Sequence, residues 1–421
     1  MGKKYYDRLL DEKLPLYLET FGAVLIEGPK WCGKTTTAGK HAKSILKMQD
    51  PGQVKNNLLI ADTAPQLLLE GERPRLIDEW QAAPALWDSV RVAVDESGET
   101  GQFILTGSAT PNTEATMHTG TGRIARFLMR PMSLFESLDS NGSVSLNKLF
   151  AGESVEGSRS NLKIRDIAFL TCRGGWPQSV GKKEASALLI ADQYVKSVYN
   201  QDIHKVDGSA KDPLRVQQFL KSYARNVQTL ANNNTILNDM LPNDAGITPP
   251  TMLTYKNALQ RLFILEETPA WAPNIRSKTA IRTSNKRGFV DPSIAAAILD
   301  QTPDSLLKDF KLFGFLFEAL CARDLRIYAE QMDGQVLHYR DDHGLECDAV
   351  IRLKNGDIAL VEVKLGGKAE EKAAEDLNKL EKLLIDKGFE QPRFKMILIG
   401  EGYAYTRKDG VLVVPLGCLK H

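Results

Sequence analysis

Gly28-Pro29-Lys30-Trp31-Cys32-Gly33-Lys34-Thr35 fits the pattern G-x-x-x-x-G-K-[ST] at every fixed position. The pattern is demanding because each fixed residue has its own physical task. Glycines let successive backbone N–H groups wrap phosphate oxygens, the lysine reaches the terminal phosphates, and the hydroxyl residue ligates Mg2+. The flanks agree with this reading. Residues 23–26 are a short apolar run of strand character, and a helix is expected from Lys34, with its positive end towards the phosphates. ATP and Mg2+ are the expected ligands, with Gly28, Pro29, Cys32, Gly33, Lys34, Thr35 and Thr36 as the nucleotide-contacting positions.

Working outward, residues 58–61, 76–77 and 103–105 are further short apolar runs, separated by helical or loop segments such as 85–94. Buried strands alternating with helices imply an α/β domain with a mainly parallel sheet. In Leu76-Ile77-Asp78-Glu79, Asp78 stands at a strand end, where a carboxylate holds the metal, and Glu79 is placed to polarise an attacking water. An acid beside Asp78 favours hydrolysis over phosphotransfer to a second substrate, for which no acceptor site is visible. Phe103-Ile104-Leu105-Thr106-Gly107-Ser108 ends a third strand, and Thr106 or Ser108 is the residue expected beside the γ-phosphate. Arg123, Arg126 and Arg130 cluster in residues 122–130 with no acid between them. An arginine reaching a neighbouring subunit's γ-phosphate neutralises transition-state charge; Arg123 and Arg126 are the candidates for that role in an oligomer, and a solvated edge strand is the alternative reading.

The pattern changes after Glu136. Residues 137–160 are rich in Ser, Gly and Asn and read as an exposed connection or insertion. Helices are expected at 185–201, 214–227, 236–241 and 252–262; the last two, joined by a Pro/Asn/Asp/Gly turn, suggest a helix-turn-helix, with a wing beginning at 263–270. Residues 271–290 carry Arg276, Lys278, Arg282, Lys286 and Arg287 and no acid, which reads either as a phosphate-backbone contact or as a solvated wing. From residue 312 the expected order is helix, three strands (335–339, 347–353, 358–363), a charged helix (369–385) and two strands (394–399, 411–414). Asp348 on the second strand and Glu362-x-Lys364 on the third form the D…E-x-K arrangement of a metal-dependent nuclease core. There two carboxylates hold a metal against a scissile phosphate and the lysine positions water. Period-2 alternation puts Glu362 and Lys364 on one face, and Glu318 on the preceding helix is a further candidate ligand. His338 and His343 lie close by in sequence and receive no role.

Net charge is +1, so no global field draws the chain to nucleic acid or an anionic membrane. The five cysteines are scattered with no C-x-x-C pair, which fits reduced thiols in the cytoplasm. The first 18 residues lack the apolar core of a signal peptide, and no run of about 20 uncharged apolar residues offers a membrane span.

Taken together, GPKWCGKTT, LIDEW, FILTGSA, GRIARFLMRPMSLFE, RGGWP at 173–177, and DAVI followed by VEVK make the chain resemble a large prokaryotic family. Its members are AAA+-like ATP-binding proteins with a restriction-endonuclease-like, PD-(D/E)XK C-terminal domain of unknown function. The resemblance implies an α/β chain with an AAA+-like P-loop NTPase domain over 1–160. A helical, winged-helix-like middle would span 161–305, and a nuclease-like α/β domain 306–421. It places ATP on Gly33, Lys34 and Thr35, metal and water roles on Asp78 and Glu79, and a nuclease centre on Asp348, Glu362 and Lys364. Two outputs stay open: action on or near DNA, or a nucleotide-dependent switch for a protein partner with the nuclease chemistry lost.

Overall fold

Strand β1 (Ala23–Glu27) carries four consecutive buried apolar residues because it lies inside a parallel sheet covered on both faces. The computed structural model describes residues 4–110, 120–155, 157–205, 211–242, 246–273 and 284–421. These divide into two units. The first comprises Met1–Pro131, Asn200–Lys211 and Lys256–Ile264; the second comprises Met132–Tyr199, Asp212–Tyr255 and Leu265–His421.

In the first unit β1 is flanked by β2 (Ser44–Lys47), β3 (Arg75–Asp78), β4 (Phe103–Gly107) and β5 (Ile124–Leu128) in the order β2-β3-β4-β1-β5, all pairs parallel. Val24, Ile26, Leu76 and Ile104 pack on one face against Leu14 of α1 (Leu10–Thr20) and Ala38 of α2 (Lys34–His41). Leu25, Ile77, Phe103 and Leu105 pack on the other, with Ala61 of α3 (Val54–Thr63) and Leu86, Trp87 and Val90 of α4 (Ala85–Ser97). The strand expected at 58–61 is therefore part of α3; of those four residues Leu58 and Leu59 are exposed and only Ala61 is buried. The edge strand is Ser44–Lys47 instead. It alternates exposed with half-buried residues, and so offers no continuous apolar run to find. The registers Asp78–Thr106 and Glu27–Gly107 bring the carboxyl ends of β3, β4 and β1 to one edge, where open parallel sheets place ligands.

The second unit begins with a short strand, β6 (Val144–Ser145), and α5 (Leu146–Phe150). This is the segment expected to be an exposed connection. In fact Val144, Leu146 and Leu149 are buried, and β6 pairs in parallel with Leu419–Lys420. The serines misled because they are spent on backbone: Ser140 Oγ donates to the Leu419 carbonyl and Ser145 Oγ to that of His421, both at 2.7 Å. Helix α6 (Ile164–Arg173), not among the expected helices, is followed by α7 (Glu184–Ser197), α8 (Pro213–Arg225), α9 (Asn233–Met240) and α10 (Pro249–Arg261), which overlap the four expected positions; the residues of α10 from Lys256 on belong to the first unit. Next come α11 (Pro292–Ile298), α12 (Pro303–Leu306) and α13 (Phe310–Gln331).

The last part is a six-stranded sheet. Strands β7 (Gln335–Arg340), β8 (Glu346–Arg352) and β9 (Ile358–Lys364) run antiparallel; β10 (Phe394–Ile399) and β12 (Leu412–Pro415) continue parallel, with β11 (Tyr405–Thr406) at the far edge. Helix α14 (Glu370–Asp386) makes the β9-to-β10 crossover and buries Ala373, Ala374, Leu377, Leu380 and Leu384. Within residues 263–270, where a wing was expected, Leu265 and Thr268 bridge antiparallel to Phe289 and Lys286, and Ala270 bridges to His338 of β7.

The Arg173–Pro177 motif has a structural task here. A Cβ at Gly174 (φ +70°) would lie 2.3 Å from Asp291 Oδ1, and one at Gly175 2.1 Å from the Met132 carbonyl. Gly175 N–H donates to Asp291 Oδ2 at 2.9 Å, and Trp176 Nε1 donates to Ser293 Oγ at 2.9 Å. Asp291 in turn accepts from Arg323 Nη1 at 3.0 Å, and Arg323 Nη2 donates to Asp324 at 2.7 Å, all three side chains at 1% exposure or less. Removing the guanidinium strands two buried carboxylates. Arg323→Met is expected to lower the unfolding free energy by roughly 3–5 kcal/mol, read by urea denaturation. A change under about 1 kcal/mol would show that the network contributes little.

Candidate functional site

The loop after β1 is built as a phosphate cradle. Gly28 has φ +151° and Gly33 φ +107°, and a Cβ on Gly28 would stand 2.2 Å from the Met129 carbonyl oxygen. Helix α2 starts at Lys34, directly after Gly33. The Lys34 side chain is only 5% exposed and folds back over the loop, donating from Nζ to the Gly28 carbonyl at 2.9 Å and the Pro29 carbonyl at 2.7 Å. Cys32 is fully buried with its thiol donating to the Met129 carbonyl at 3.2 Å, so its role is to seat the loop. Arg8 does the same from outside the motif, donating from Nη1 to the Cys32 carbonyl and from Nη2 to the Arg130 carbonyl, each at 2.8 Å.

Asp78 and Glu79 have different partners. Asp78 Oδ1 accepts from Thr35 Oγ1 at 2.7 Å and from Thr106 Oγ1 at 2.6 Å, tying together the ends of β3, β4 and the loop. Glu79 sits in the left-handed region (φ 59°), unusual for a residue with a Cβ, with its N–H donating to Thr106 Oγ1 at 3.2 Å. Its Oε2 accepts from Ser108 Oγ at 2.7 Å and from Gln81 Nε2 at 2.5 Å. Thr106 and Ser108 were alternatives for one task; the structure gives them separate tasks, one at each carboxylate. Gly107 between them is closely packed: a Cβ there would be 3.1 Å from both Gln81 Oε1 and Trp80 Nε1, so those side chains would have to give.

Beside Glu79 lies a cavity of about 230 Å³ lined also by Lys30, Gln49, Gln81, Ser108, Asp202 and Leu262. Gln81 Oε1 is a buried acceptor with no protein donor. Lys30 Nζ donates to Asp202 Oδ1 at 2.5 Å. Gln81, Lys30 and Asp202 were not picked from the sequence. Gln81 could have been, as the polar residue two beyond Glu79; Asp202 has no local signal, since it comes from a segment 172 residues beyond Lys30.

A second cluster of charge occupies the other unit. Antiparallel pairing of Ala349 with Val361 puts Asp348 opposite Glu362. Lys364 Nζ donates to Glu362 Oε2 at 2.5 Å and to Asp348 Oδ2 at 3.3 Å. Lys286, from the 286–289 bridge segment, donates to Glu318 Oε1 at 2.7 Å and Asp348 Oδ1 at 3.0 Å. Burial, followed by the Asp348 charge, raises the Glu362 carboxyl well above its ordinary value and that of Glu318 to about 7. Burial works on Asp348 in the same direction, but Lys286 and Lys364 prevail and hold it well below the usual range. Burial, together with Lys286, lowers the His338 imidazole to about 4, so it is neutral at pH 7.

Residues 20–138 match the sequence profile described as an AAA domain. The first unit carries an AAA-like ATP-binding domain. Residues 164–305 match a domain of unknown function (DUF8612), and residues 313–419 match another (DUF4143). Among curated proteins none matches the chain. Similar solved structures include the Walker-type ATPase paby2304 of Pyrococcus abyssi, at 12% identity over 70% of this chain and 96% of that one, with a TM-score of 0.42. Drosophila ORC bound to DNA is similar at 12% identity over 66% and 89% of the two chains, with a TM-score of 0.24. A DNA polymerase III gamma subunit-related protein from Thermotoga maritima is similar at 13% identity over 61% and 100%, with a TM-score of 0.23.

Within the AAA-like unit the candidate arginines are not at the phosphate loop. Arg123 precedes β5 at the end of the sheet opposite the loop, as the Ala23–Ile124 register requires, and pairs with Asp95 at 2.6 Å. Arg126 lies over the Trp87 ring, 4.8 Å from its centroid, with Glu27 3.7 Å away. Burial raises the Glu27 carboxyl above its ordinary value and Arg126 opposes that shift. Of the basic run at 271–290, Arg276, Lys278 and Arg282 lie outside the described residues. Lys286 and Arg287 are not solvated: they are 6% and 5% exposed, and Arg287 pairs with Glu267.

The tight fit at Gly28 makes the loop testable. Gly28→Ala is expected to cost roughly 1–3 kcal/mol in stability through backbone strain and to abolish the rise in unfolding temperature that Mg-ATP produces in the wild type. A wild-type rise in the variant would mean that the loop accommodates a side chain and that the cradle is misassigned.

Proposed function

We propose that the chain is an ATP-hydrolysing AAA+-type nucleotide switch. One observation carries this reading: Thr35 and Thr106 converge on Asp78, while Ser108 and Gln81 hold the neighbouring Glu79 at the rim of a cavity. The donor set suits a hard cation beside a triphosphate, with Thr35 and Asp78 as its protein ligands. A magnesium ion held by Thr35 and Asp78 would supply charge neutralisation to the bound phosphates. Backbone N–H groups from Gly33 to Thr36 and the ammonium of Lys34 bind the phosphates; for this, Lys34 exchanges its bonds to the Gly28 and Pro29 carbonyls for bonds to phosphate. Both donors to Glu79 use Oε2, which leaves Oε1 to accept the proton of the attacking water. Gln81 Oε1, a buried acceptor on the same cavity, suits the water's other hydrogen.

For the output we favour a protein partner over DNA. The basic run that offered a candidate phosphate-backbone contact loses Lys286 and Arg287 to buried ion pairs, and phosphate contacts need cations that reach solvent. The nuclease-like reading of Asp348, Glu362 and Lys364 rests on residue types and strand order alone. Arg123 and Arg126 fit a finger role only in trans, in an oligomer; turnover per chain that rises with protein concentration would support this, and constant turnover would remove it. The setting we propose is the cytoplasm, in keeping with five buried, unpaired cysteines. Among the described residues no helix is long and apolar enough to cross a membrane.

The deciding measurement is phosphate release from Mg-ATP with and without single- and double-stranded DNA. Lys34→Ala is expected to lose both ATP binding and turnover. Glu79→Gln is expected to keep binding and lose roughly 100–10,000-fold in turnover. Gln81→Leu is expected to lower the rate by roughly tenfold with binding kept. Full turnover in Glu79→Gln would overturn the assignment of the base. DNA is expected to leave the rate unchanged; stimulation by DNA would return the output to nucleic acid.

A further inference from the structure

The Asp348–Glu362–Lys364 arrangement implies a divalent cation, and the residues around it do not fit one. Among the described residues no group of three or more His, Cys, Asp and Glu side chains is arranged to hold a metal ion. The reason is local. Both oxygens of Asp348 are committed: Oδ1 to Lys286 Nζ at 3.0 Å, and Oδ2 to the Val363 N–H at 3.0 Å and Lys364 Nζ at 3.3 Å. Glu318 Oε1 takes the same Lys286 ammonium at 2.7 Å, and Glu362 Oε2 takes Lys364 at 2.5 Å.

We propose that Lys286 is the resident cation of this centre, its ammonium standing between Glu318 and Asp348 where a metal-dependent nuclease would need Mg2+. The centre is then an internally neutralised ion-pair network that binds no divalent metal.

Three features support this. First, the lysine is enclosed, with its side chain 7% exposed and those of Glu318 and Asp348 at 15% and 14%. Second, its backbone is fixed, because Lys286 N–H donates to the Thr268 carbonyl and Thr268 N–H to the Lys286 carbonyl, both at 3.0 Å. The next residue is anchored as well: Arg287 bonds to the Ala231 carbonyl, to Asn233 and to Glu267. Withdrawing Lys286 would therefore mean opening the bridge segment and leaving an ammonium buried without its carboxylates. Third, the acidic groups are already answered, as the two ammoniums are shared among three carboxyl groups. A hard dication needs several oxygens to itself, and the ammoniums already use them.

The test is Mn2+ binding, followed by the paramagnetic resonance of free Mn2+ in nucleotide-free, full-length protein. An Asp78→Asn background silences the carboxylate at the end of β3 beside the phosphate loop. With Lys286 in place, no Mn2+ site that depends on Asp348 is expected. Lys286→Met is expected to gain one Mn2+ per chain, roughly tenfold or more tighter than any uptake with Lys286 present, and Lys286→Met/Asp348→Asn to lose it again. Mn2+ uptake with Lys286 present that Asp348→Asn abolishes would overturn the proposal. So would a folded Lys286→Met that takes up no more Mn2+ than its parent. Should Lys286→Met fail to fold, unfolding temperature decides: Mn2+ is expected to shift the wild type and Asp348→Asn equally, and a rise confined to the wild type refutes the idea. Neither result bears on ATP hydrolysis, which is measured at the other unit.

Discussion

Thr35 and Thr106 both donate to one oxygen of Asp78, and much of the nucleotide-binding unit follows from that shared acceptor. The three residues come from the phosphate loop, the end of β4 and the end of β3, segments that are far apart in sequence. They meet because parallel strands in register end at one edge, and Asp78 pairs directly with Thr106. With Asp78 fixed, Glu79 is fixed too, since its own N–H bonds to the same Thr106 hydroxyl. The left-handed backbone at Glu79 is a local cost that a scaffold of this kind can bear, and functional sites often carry such strain. A glycine at 107 and buried tryptophans at 80 and 87, their rings 5.0 Å apart, make room for and brace the turn.

The other unit is organised by buried charge. Arg323, Asp291 and Asp324 hold the Gly174-Gly175-Trp176 turn, and Lys286, Glu318, Asp348, Glu362 and Lys364 hold the bridge segment to the sheet. Such networks contribute modestly to net stability when complete and are severe to break, so they specify one arrangement more than they strengthen it. This explains why two sequence signals changed meaning. A run of cations without an acid looked like a surface for phosphates, but its described members find acids brought from elsewhere in the chain. A set of acids around a lysine looked like a metal centre, but a second lysine answers them.

The elements with strong periodicity were legible. The apolar runs at 23–26, 76–77 and 103–105 and all five strand positions expected in the last 90 or so residues reappear within a residue or two, because burial on both faces leaves a continuous apolar signature. What failed was where burial is one-sided or polar. The edge strand Ser44–Lys47 is half exposed and went unseen, and the apolar stretch at 58–61 belongs to a helix. The serine-rich stretch before residue 160 is structured because its hydroxyls satisfy backbone carbonyls, which composition cannot distinguish from solvation.

By itself, then, the sequence determined the phosphate loop, the Asp78–Glu79 pair and the alternation that makes a parallel sheet, since each depends on residues adjacent in the chain. Only the tertiary structure decided which hydroxyl serves which carboxylate, that Arg8, Lys30, Gln81 and Asp202 belong to the loop's surroundings, and that Lys286 lies against Glu318 and Asp348. Apart from the local bond of Gln81 to Glu79, those are pairings across 24 to 172 residues, set by strand register and by the need of every buried charge to meet its opposite.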